Sequence, residues 1–338
     1  MRAHKTKTVA AIGPALGLFF ACLAFDVRAE LPPADAVLED VGYSAHEIAD
    51  IEAGKIVTAD VKPVHERDLA VAFAFFVSAP PAELVNELKA GLMAKVEPNT
   101  IAHGEIFGPA SPADFASLTL QPDAERRAAR YVAAKPDTDL NLSADEIAAF
   151  SELGSSAEVA AVERQVRGSL LERYREYRAK GLDGIVPYAR EKGLRSVAED
   201  LRASLEAMKA LQKYAPAAYA AILAYPGSKP VGAEEAFSWS HFKGHDVPTI
   251  ALVHAMFVPD GDAFVVMQRQ YYVSEGFNCE QAIAGLLPVR SGTVVVYSNH
   301  TSTDQVSGFG AGAKRSIGSK LLSSELRAMF AKAQNRVK

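Results

Sequence analysis

The chain has 338 residues, of which 49% are hydrophobic and 23% are charged, a balance typical of a globular protein that can bury one or two cores. Its formal net charge at pH 7 is −5, and residues 30–338 alone carry −8, with 32 Lys and Arg against 40 Asp and Glu. An acidic protein of this kind offers no electrostatic footprint for nucleic acid, so we exclude nucleic acid as a partner.

The N-terminus has the layout of a secretory signal. Three basic residues within the first seven precede an apolar run from Val9 to Phe25, and Ala29 supplies a small residue for cleavage. We therefore predict a periplasmic or secreted protein, cleaved near Ala29. An uncleaved anchor and lipidation at Cys22 are the alternatives. After cleavage Cys279 would be the single cysteine, which excludes an internal disulfide.

The first part of the mature chain predicts a small mixed unit. Ser44 and Glu47 have the spacing of a capping box, in which each residue's side chain bonds the backbone of the other at a helix start. The segment Leu69–Val77 is apolar on both faces, which is typical of a buried strand. The predicted elements are a helix from Ala45 to Ala53, strands Lys55–Val61, Leu69–Val77 and Ile101–Phe107, and a helix Ala82–Ala90.

The middle of the chain is predicted to be helical. Ser143 and Glu146 form a second capping-box pattern. Apolar residues then recur at steps of three and four over 157–180 and again over 195–214, which indicates two amphipathic helices. The Gly181–Tyr188 segment between them is predicted to be a structured turn, so we expect an antiparallel helical hairpin.

The C-terminal part reads as strands closed by one helix. Strands are predicted at Thr249–Val258, Ala263–Ser274 and Thr293–Ser298, with the Pro259–Asp262 turn joining the first two. A glycine-rich hinge, Gly308–Gly312, leads into a helix over Lys314–Gln334. The fold class is therefore α+β: a mostly antiparallel sheet, closed by a long C-terminal helix, with a helical hairpin inserted in the middle of the chain.

These patterns divide the chain into four segments. Residues 1–29 are the signal peptide and 30–122 an N-terminal strand and helix segment. Residues 123–228 form a helical region, and 229–338 hold the C-terminal antiparallel sheet and its helix.

Two apparent cofactor motifs fail on their spacing. The segment 135–146 resembles half a calcium loop, but Leu140 or Leu142 stands where the glycine is required, so we predict a polar turn and a capped helix. In the segment 308–316, Ala313 stands where a phosphate loop needs glycine before Lys314. We therefore predict no cofactor, although the amides at that helix start would also suit an anion.

Two histidines of the C-terminal part have a spacing that could suit a metal ion. His241 and His245 are four residues apart, but Gly244 and Pro248 oppose a helix, and zinc needs three convergent ligands. We therefore predict exposed loop histidines and no metal.

His254 alone lies within an apolar strand. It is either a satisfied core residue, which we favour, or a polar group lining a cavity. Tyr271 and Tyr272 are its candidate partners.

The last helix carries two patterns. Its apolar side chains form one broad stripe: Ile317, Leu321, Leu322, Leu326, Met329 and Phe330. Basic residues occupy most of the rest, with Glu325 the single acid. We predict a core-facing helix with a solvated basic face, and the alternative is contact between that face and an anionic membrane surface.

Three segments, Asp139–Ser143, Gly181–Tyr188, and Phe237–Ser240 with Val253-His254, resemble an uncharacterised family of exported bacterial proteins. That resemblance implies an exported location. The strand-to-helix step at Val77–Leu88, the late strands and the closing helix resemble the START-like helix-grip proteins, which hold lipids or other apolar ligands. That resemblance implies a ligand between the sheet and the last helix, with residues 123–224 as an insertion.

Three functions remain open from the sequence. The preferred hypothesis is an exported protein that binds an apolar or amphiphilic, lipid-like ligand, or a membrane surface. Its predicted ligand-binding residues are Trp239, His254, Tyr271, Tyr272 and Phe309. One alternative is a hydrolase or lyase that uses His254 with Ser240, Tyr271 or Asn299. The other is a structural or interaction protein of the cell envelope, which binds through the hairpin at 157–214.

Overall fold

A computed structural model describes residues 32–97, 99–136, 138–244, 247–308 and 310–337. The predicted signal peptide, His245 and Phe309 lie outside these ranges. The helices are α1 Ala34–Asp40, α2 Ala45–Glu52, α3 Pro81–Lys89, α4 Leu92–Val96, α5 Ala124–Val132, α6 Ala144–Glu152, α7 Val159–Lys180, α8 Val197–Ala207, α9 Lys209–Tyr214, α10 Pro216–Leu223 and α11 Ala311–Arg336. Short 3₁₀ turns lie at Pro112–Phe115, Gly181–Gly184 and Asp304–Val306.

The strands are β1 Val57–Ala59, β2 Asp68–Val77, β3 Thr100–Ile106, β4 Tyr188–Arg190, β5 Gly193–Arg195, β6 Glu234–Gly244, β7 Val247–Asp260, β8 Ala263–Val273, β9 Cys279–Val289 and β10 Gly292–Ser302. Eight of them form one antiparallel sheet in the order β1-β2-β10-β9-β8-β7-β6-β3. The other two, β4 and β5, form a separate hairpin. The predicted α+β class, with a large antiparallel sheet and a C-terminal helix, is confirmed.

Both faces of the large sheet carry a helical layer. On one face, called here the helical face, the core is built with helices of the middle region, including α5, α7, α8 and α10, while α1 and α2 cover one end of the same face. On the opposite face, called the α11 face, α3, α4 and α11 pack on β2, β8, β9 and β10. Because side chains alternate along a strand, each strand residue can be assigned to one of these two cores.

Short sequence patterns predicted the positions of most helices and strands. Both capping boxes are present, with Ser44 and Ser143 as N-caps of α2 and α6. The predicted strands Leu69–Val77, Thr249–Val258 and Ala263–Ser274 correspond to β2, β7 and β8. These predictions are confirmed because capping geometry and apolar periodicity are properties of a few neighbouring residues.

Two strands of the large sheet were missed. The segment around Trp239 and His241, predicted to be an exposed loop, lies in β6, and both side chains are fully buried on the helical face. The alternation of Phe237, Trp239 and His241 with two serines is the period-two signal of that strand. Gly244 and Pro248, which disfavour a helix, lie where β6 and β7 pair with each other in the structure. The other missed strand is β9.

The middle of the chain differs from a simple helical hairpin. The turn between α7 and α8 contains a 3₁₀ turn and the β4–β5 hairpin. The second predicted helix is divided at Met208 into α8 and α9, a break that nothing in the structure explains. Instead of pairing mainly with α7, α8 lies against β8 and β9.

Candidate functional site

The predicted ligand-binding residues lie on the helical face. Trp239, His254, Tyr271 and Tyr272 are all buried in the core between the sheet and the middle helices. Helix α11 packs on the opposite face. The structure therefore does not place these four side chains beneath the last helix.

Trp239 is fixed by two close neighbours. Its indole nitrogen donates a hydrogen bond of 2.8 Å to the backbone oxygen of Asp114. Across the strand pair lies Gly104 of β3, where an added Cβ would come within 2.4 Å of the same nitrogen. The indole thus occupies the space that a side chain at position 104 would need, and its role is to pack the edge of the sheet.

Tyr272 packs beneath a buried ion pair. The guanidinium of Arg173 lies 4.4 Å from the Tyr272 ring centroid and pairs with both oxygens of Glu146. A carboxylate and a guanidinium in this two-point geometry neutralise each other in the core. This arrangement joins α6, α7 and β8.

His254 belongs to a chain of polar groups that crosses the core. Arg269 donates from Nη1 to the Tyr177 hydroxyl at 3.1 Å, and that hydroxyl lies 2.9 Å from His254 Nδ1. Since Arg269 can only donate, the Tyr177 hydroxyl is left to donate to Nδ1. His254 Nε2 then carries the proton and lies 3.6 Å from Glu235 Oε2. Lys229 pairs with the other oxygen of Glu235 at 3.0 Å.

The prediction that His254 is a buried core residue is confirmed, but its predicted partners were wrong. Its hydrogen-bond partner is Tyr177 of α7, and Tyr271 instead stacks on Tyr177 with ring centroids 3.9 Å apart. The partner was missed because it is supplied by a helix 77 residues away. Residue spacing along a strand carries no information about such a contact.

The hydroxyl and amide groups proposed to act with His254 do not meet it. Ser240 alternates with Trp239 and His241, so it lies on the α11 face. Asn299 also lies on that face, two residues after Tyr297, which packs on Phe330 of α11. His254, Tyr177 and Arg269 are all fully buried, so this conformation presents no open cleft at the imidazole.

Burial also controls the protonation of this chain of groups. It lowers the pKa of His254 to about 4. The neighbouring His254 ring and Lys229 together lower the pKa of Glu235 to about 2, against the opposing effect of burial. A second buried ring, His241, lies 2.9 Å from Arg127 Nη1, and burial lowers its pKa to about 4 as well.

We expect the stability of the fold to decrease as the pH falls from about 6.5 to about 4. In this window the unfolded chain protonates His241 and His254 while the native rings stay neutral, so each histidine costs up to about 2 kcal/mol near pH 5. Urea unfolding at pH 7 and pH 5 measures the effect. His254→Gln should remove about half of the pH-dependent difference. An unaltered difference in His254→Gln would contradict the assignment.

The outer surface of α11 is unlike that of the other helices. Ile317 is 62% exposed and Leu321 is 54% exposed, so the single broad stripe predicted for this helix is divided between two sides. Leu326 and Phe330 face the sheet. An outer stripe faces solvent, and it consists of Ala313, Ile317, Leu321, Ala328 and Ala331.

Basic side chains border the outer stripe. At 100° per residue, Lys320 and Arg327 lie along one side of it, and Lys314 and Lys332 lie along the other. All four are exposed. Two other basic residues join α11 to the body, because Arg315 and Arg336 donate to the backbone oxygens of Glu66 and Lys95.

An open groove of about 740 Å³ runs beside this helix. Its walls are α11 on one side and the end of α2 with β1 on the other, and Ala328 and Ala331 belong both to the groove and to the outer stripe. Ile56 and Val57 add apolar surface, while Arg327 lies at the rim and donates to the Thr58 hydroxyl. The outer stripe of α11 and the groove therefore form one continuous surface.

The fold and this surface define an α+β protein with a sheet between two helical layers and an amphipathic outer helix. No protein-family model, characterised protein or solved structure matches the chain. Within the described ranges, no helix has the length and apolar character needed to cross a bilayer. In the same ranges, no three His, Cys, Asp or Glu side chains converge as metal ligands would.

Proposed function

We propose that this chain is an exported protein that binds anionic amphiphiles, and that it docks on an anionic membrane surface through the outer side of α11. The observation that carries the proposal is the exposure of Ile317 and Leu321 between two rows of basic residues. An interfacial helix has this composition: apolar side chains enter the boundary between headgroups and acyl chains, and Lys and Arg contact the anionic headgroups.

The expected energies suit reversible binding. Transferring the exposed parts of Ile317 and Leu321 out of water contributes roughly 1–2 kcal/mol for each side chain. Each basic residue near an anionic surface adds about 1 kcal/mol. The net negative charge of the whole chain opposes approach in any other orientation, which favours the one surface where the sign is reversed.

Part of one amphiphile can also bind in the groove beside this surface. Its alanines continue the outer stripe, so an apolar chain that contacts Leu321 can extend along Ala328 and Ala331. Arg327 at the rim is positioned to contact an acidic headgroup. The proposal thus retains a ligand beside the last helix but places it on the outer side rather than in the core.

The test is co-sedimentation of the full chain with vesicles of phosphatidylglycerol and phosphatidylcholine. Ile317→Asp/Leu321→Asp should weaken binding by about 100-fold, because two apolar contacts are lost and two negative charges are added. The matched control is Leu194→Asp/Val231→Asp, which makes the same changes at two exposed apolar residues away from α11. All variants share residues 1–29, so any binding by that segment is common to them.

Headgroup charge and salt provide a second measurement. Binding should be weak on pure phosphatidylcholine and should decrease as the salt concentration rises, because exposed charges are then screened. Equal binding by the α11 double variant and the control variant would refute the proposal. So would equal binding to neutral and anionic vesicles.

A further inference from the structure

The two edges of the large sheet differ in protection. At one edge, β1 has three residues, too few to template a partner strand of normal length. At the other edge, β3 has seven residues and contains neither proline nor lysine. Short strands, charged side chains, proline and bulges are the usual means by which proteins prevent edge pairing, and of these β3 has only one bulge and one acid, Glu105.

Within the described part of the chain, no second strand pairs with β3, although the 3₁₀ turn Pro112–Phe115 also contacts it. Its only neighbour in the sheet is β6, and no described backbone group outside β6 bonds to residues 101–106. Exposed apolar side chains lie at both ends, with Ile101 40% exposed and Phe107 67% exposed. A bulge lies at Ile101, after which the pairing with β6 is regular from Ala102 to Ile106.

Two copies of β3 that pair antiparallel, with Gly104 opposite Gly104, would place complementary side chains opposite each other. An antiparallel copy centred there places His103 opposite Glu105 of the second copy, and Glu105 opposite its His103. On the other face, Ala102 is opposite Ile106. The exposed Ile101 end of one copy also approaches the exposed Phe107 end of the other.

The faces of the strand agree with this pairing. Glu105 and His103 pair with Ser238 and Ser240 of β6 and lie on the α11 face, where both are exposed. Gly104 lies on the helical face, against Trp239. Residues directly opposite in an antiparallel pair share a face, so the two His–Glu pairs would form on the exposed side of a continuous sheet.

We propose that β3 is a homodimerisation edge, at which two copies of this chain pair antiparallel about a two-fold axis at Gly104. A two-fold axis makes both His–Glu pairs identical, as a self-complementary interface requires. One strand pair with apolar ends is smaller than a standard interface, so a weak, reversible dimer is expected. This surface is separate from α11, and the dimer does not depend on lipid binding.

Sedimentation of the full chain at concentrations from about 1 to about 200 µM should show a monomer–dimer equilibrium, as expected for a small interface. His103→Glu should raise the dissociation constant about tenfold, because like charges then face each other twice. Adding Glu105→Lys to that variant places opposite charges across from each other and should return the dissociation constant to the original value or below it. His46→Glu, the same change on the exposed face of α2, is the matched control.

Disulfide trapping tests the register. An oxidised mixture of His103→Cys and Glu105→Cys chains should cross-link, since directly opposite residues lie within disulfide reach, whereas either variant alone should cross-link far less. Both chains also carry Cys22→Ser, and the remaining native cysteine, Cys279, is buried and should not interfere. A monomer at every concentration, a dimer unaffected by His103→Glu, or equal cross-linking of the single variants would overturn the proposal. If the protein is purely monomeric, a second copy of this chain is not the partner of this edge.

Discussion

Tyr177→Phe is expected to lower the free energy of unfolding by about 2–4 kcal/mol, although it removes one oxygen atom. The hydroxyl accepts from Arg269 and donates to His254, and all three side chains are fully buried. Its loss leaves a charged donor and a ring nitrogen without these partners, and each orphaned buried group costs about 1–3 kcal/mol. Urea denaturation at pH 7 measures the change.

Tyr131→Phe is the matched control. Tyr131 is also buried, but its hydroxyl has no hydrogen-bond partner among the described residues. Removing an unpaired buried hydroxyl strands no other group, so this variant should be neutral or slightly more stable. If the two tyrosine variants lost equal stability, the Arg269–Tyr177–His254 chain would not be an important stabilising element.

Glu146→Ala is expected to cost about 3–5 kcal/mol, the range for breaking a buried ion pair by removing one partner. The carboxylate receives two hydrogen bonds from the buried guanidinium of Arg173, and it also accepts from the Ser143 amide as part of the α6 capping box. Without it, Arg173 keeps its contact with the Val186 oxygen and the Tyr272 ring but has no carboxylate partner.

The adjacent acid supplies the control for this prediction. Asp145 lies in the same first turn of α6 but is exposed, so Asp145→Ala should remove only a helix-dipole contribution of about 0.5 kcal/mol. Thermal and urea unfolding should rank Glu146→Ala far below Asp145→Ala. Similar losses would mean that the capping turn, and not the ion pair, dominates the effect.

Each of these predictions depends on a side chain that the sequence did not single out, Tyr177 in the first and Arg173 in the second. Tyr177 and Arg173 both appear in the sequence as members of a helical stripe or its polar flank. In the structure, α7 lies over the sheet, and both side chains meet strand residues far away in the chain. Such a role depends on the orientation of a whole helix, which local periodicity does not specify.

The candidate site, too, was predicted from the sequence only in part. The basic and apolar composition of α11 was readable from the sequence, and so was contact with a membrane as an alternative. The exposure of Ile317 and Leu321 was not predicted, because they were assigned to one broad stripe with Leu326 and Phe330, although at about 100° per residue the two pairs lie on opposite sides of the helix. Whether such a stripe is covered depends on what packs beside it, and here the sheet covers only the other side of the helix.

By itself, the sequence determined the α+β class, the two capping boxes, most strands and the closing helix, because each follows from propensity and periodicity over a few residues. Only the tertiary structure decided which face of the sheet each strand residue joins. The order of the strands is set by pairing between distant segments, and that order placed His254 and Trp239 in the core opposite α11. It also left the outer side of α11 and the edge of β3 free to contact other molecules.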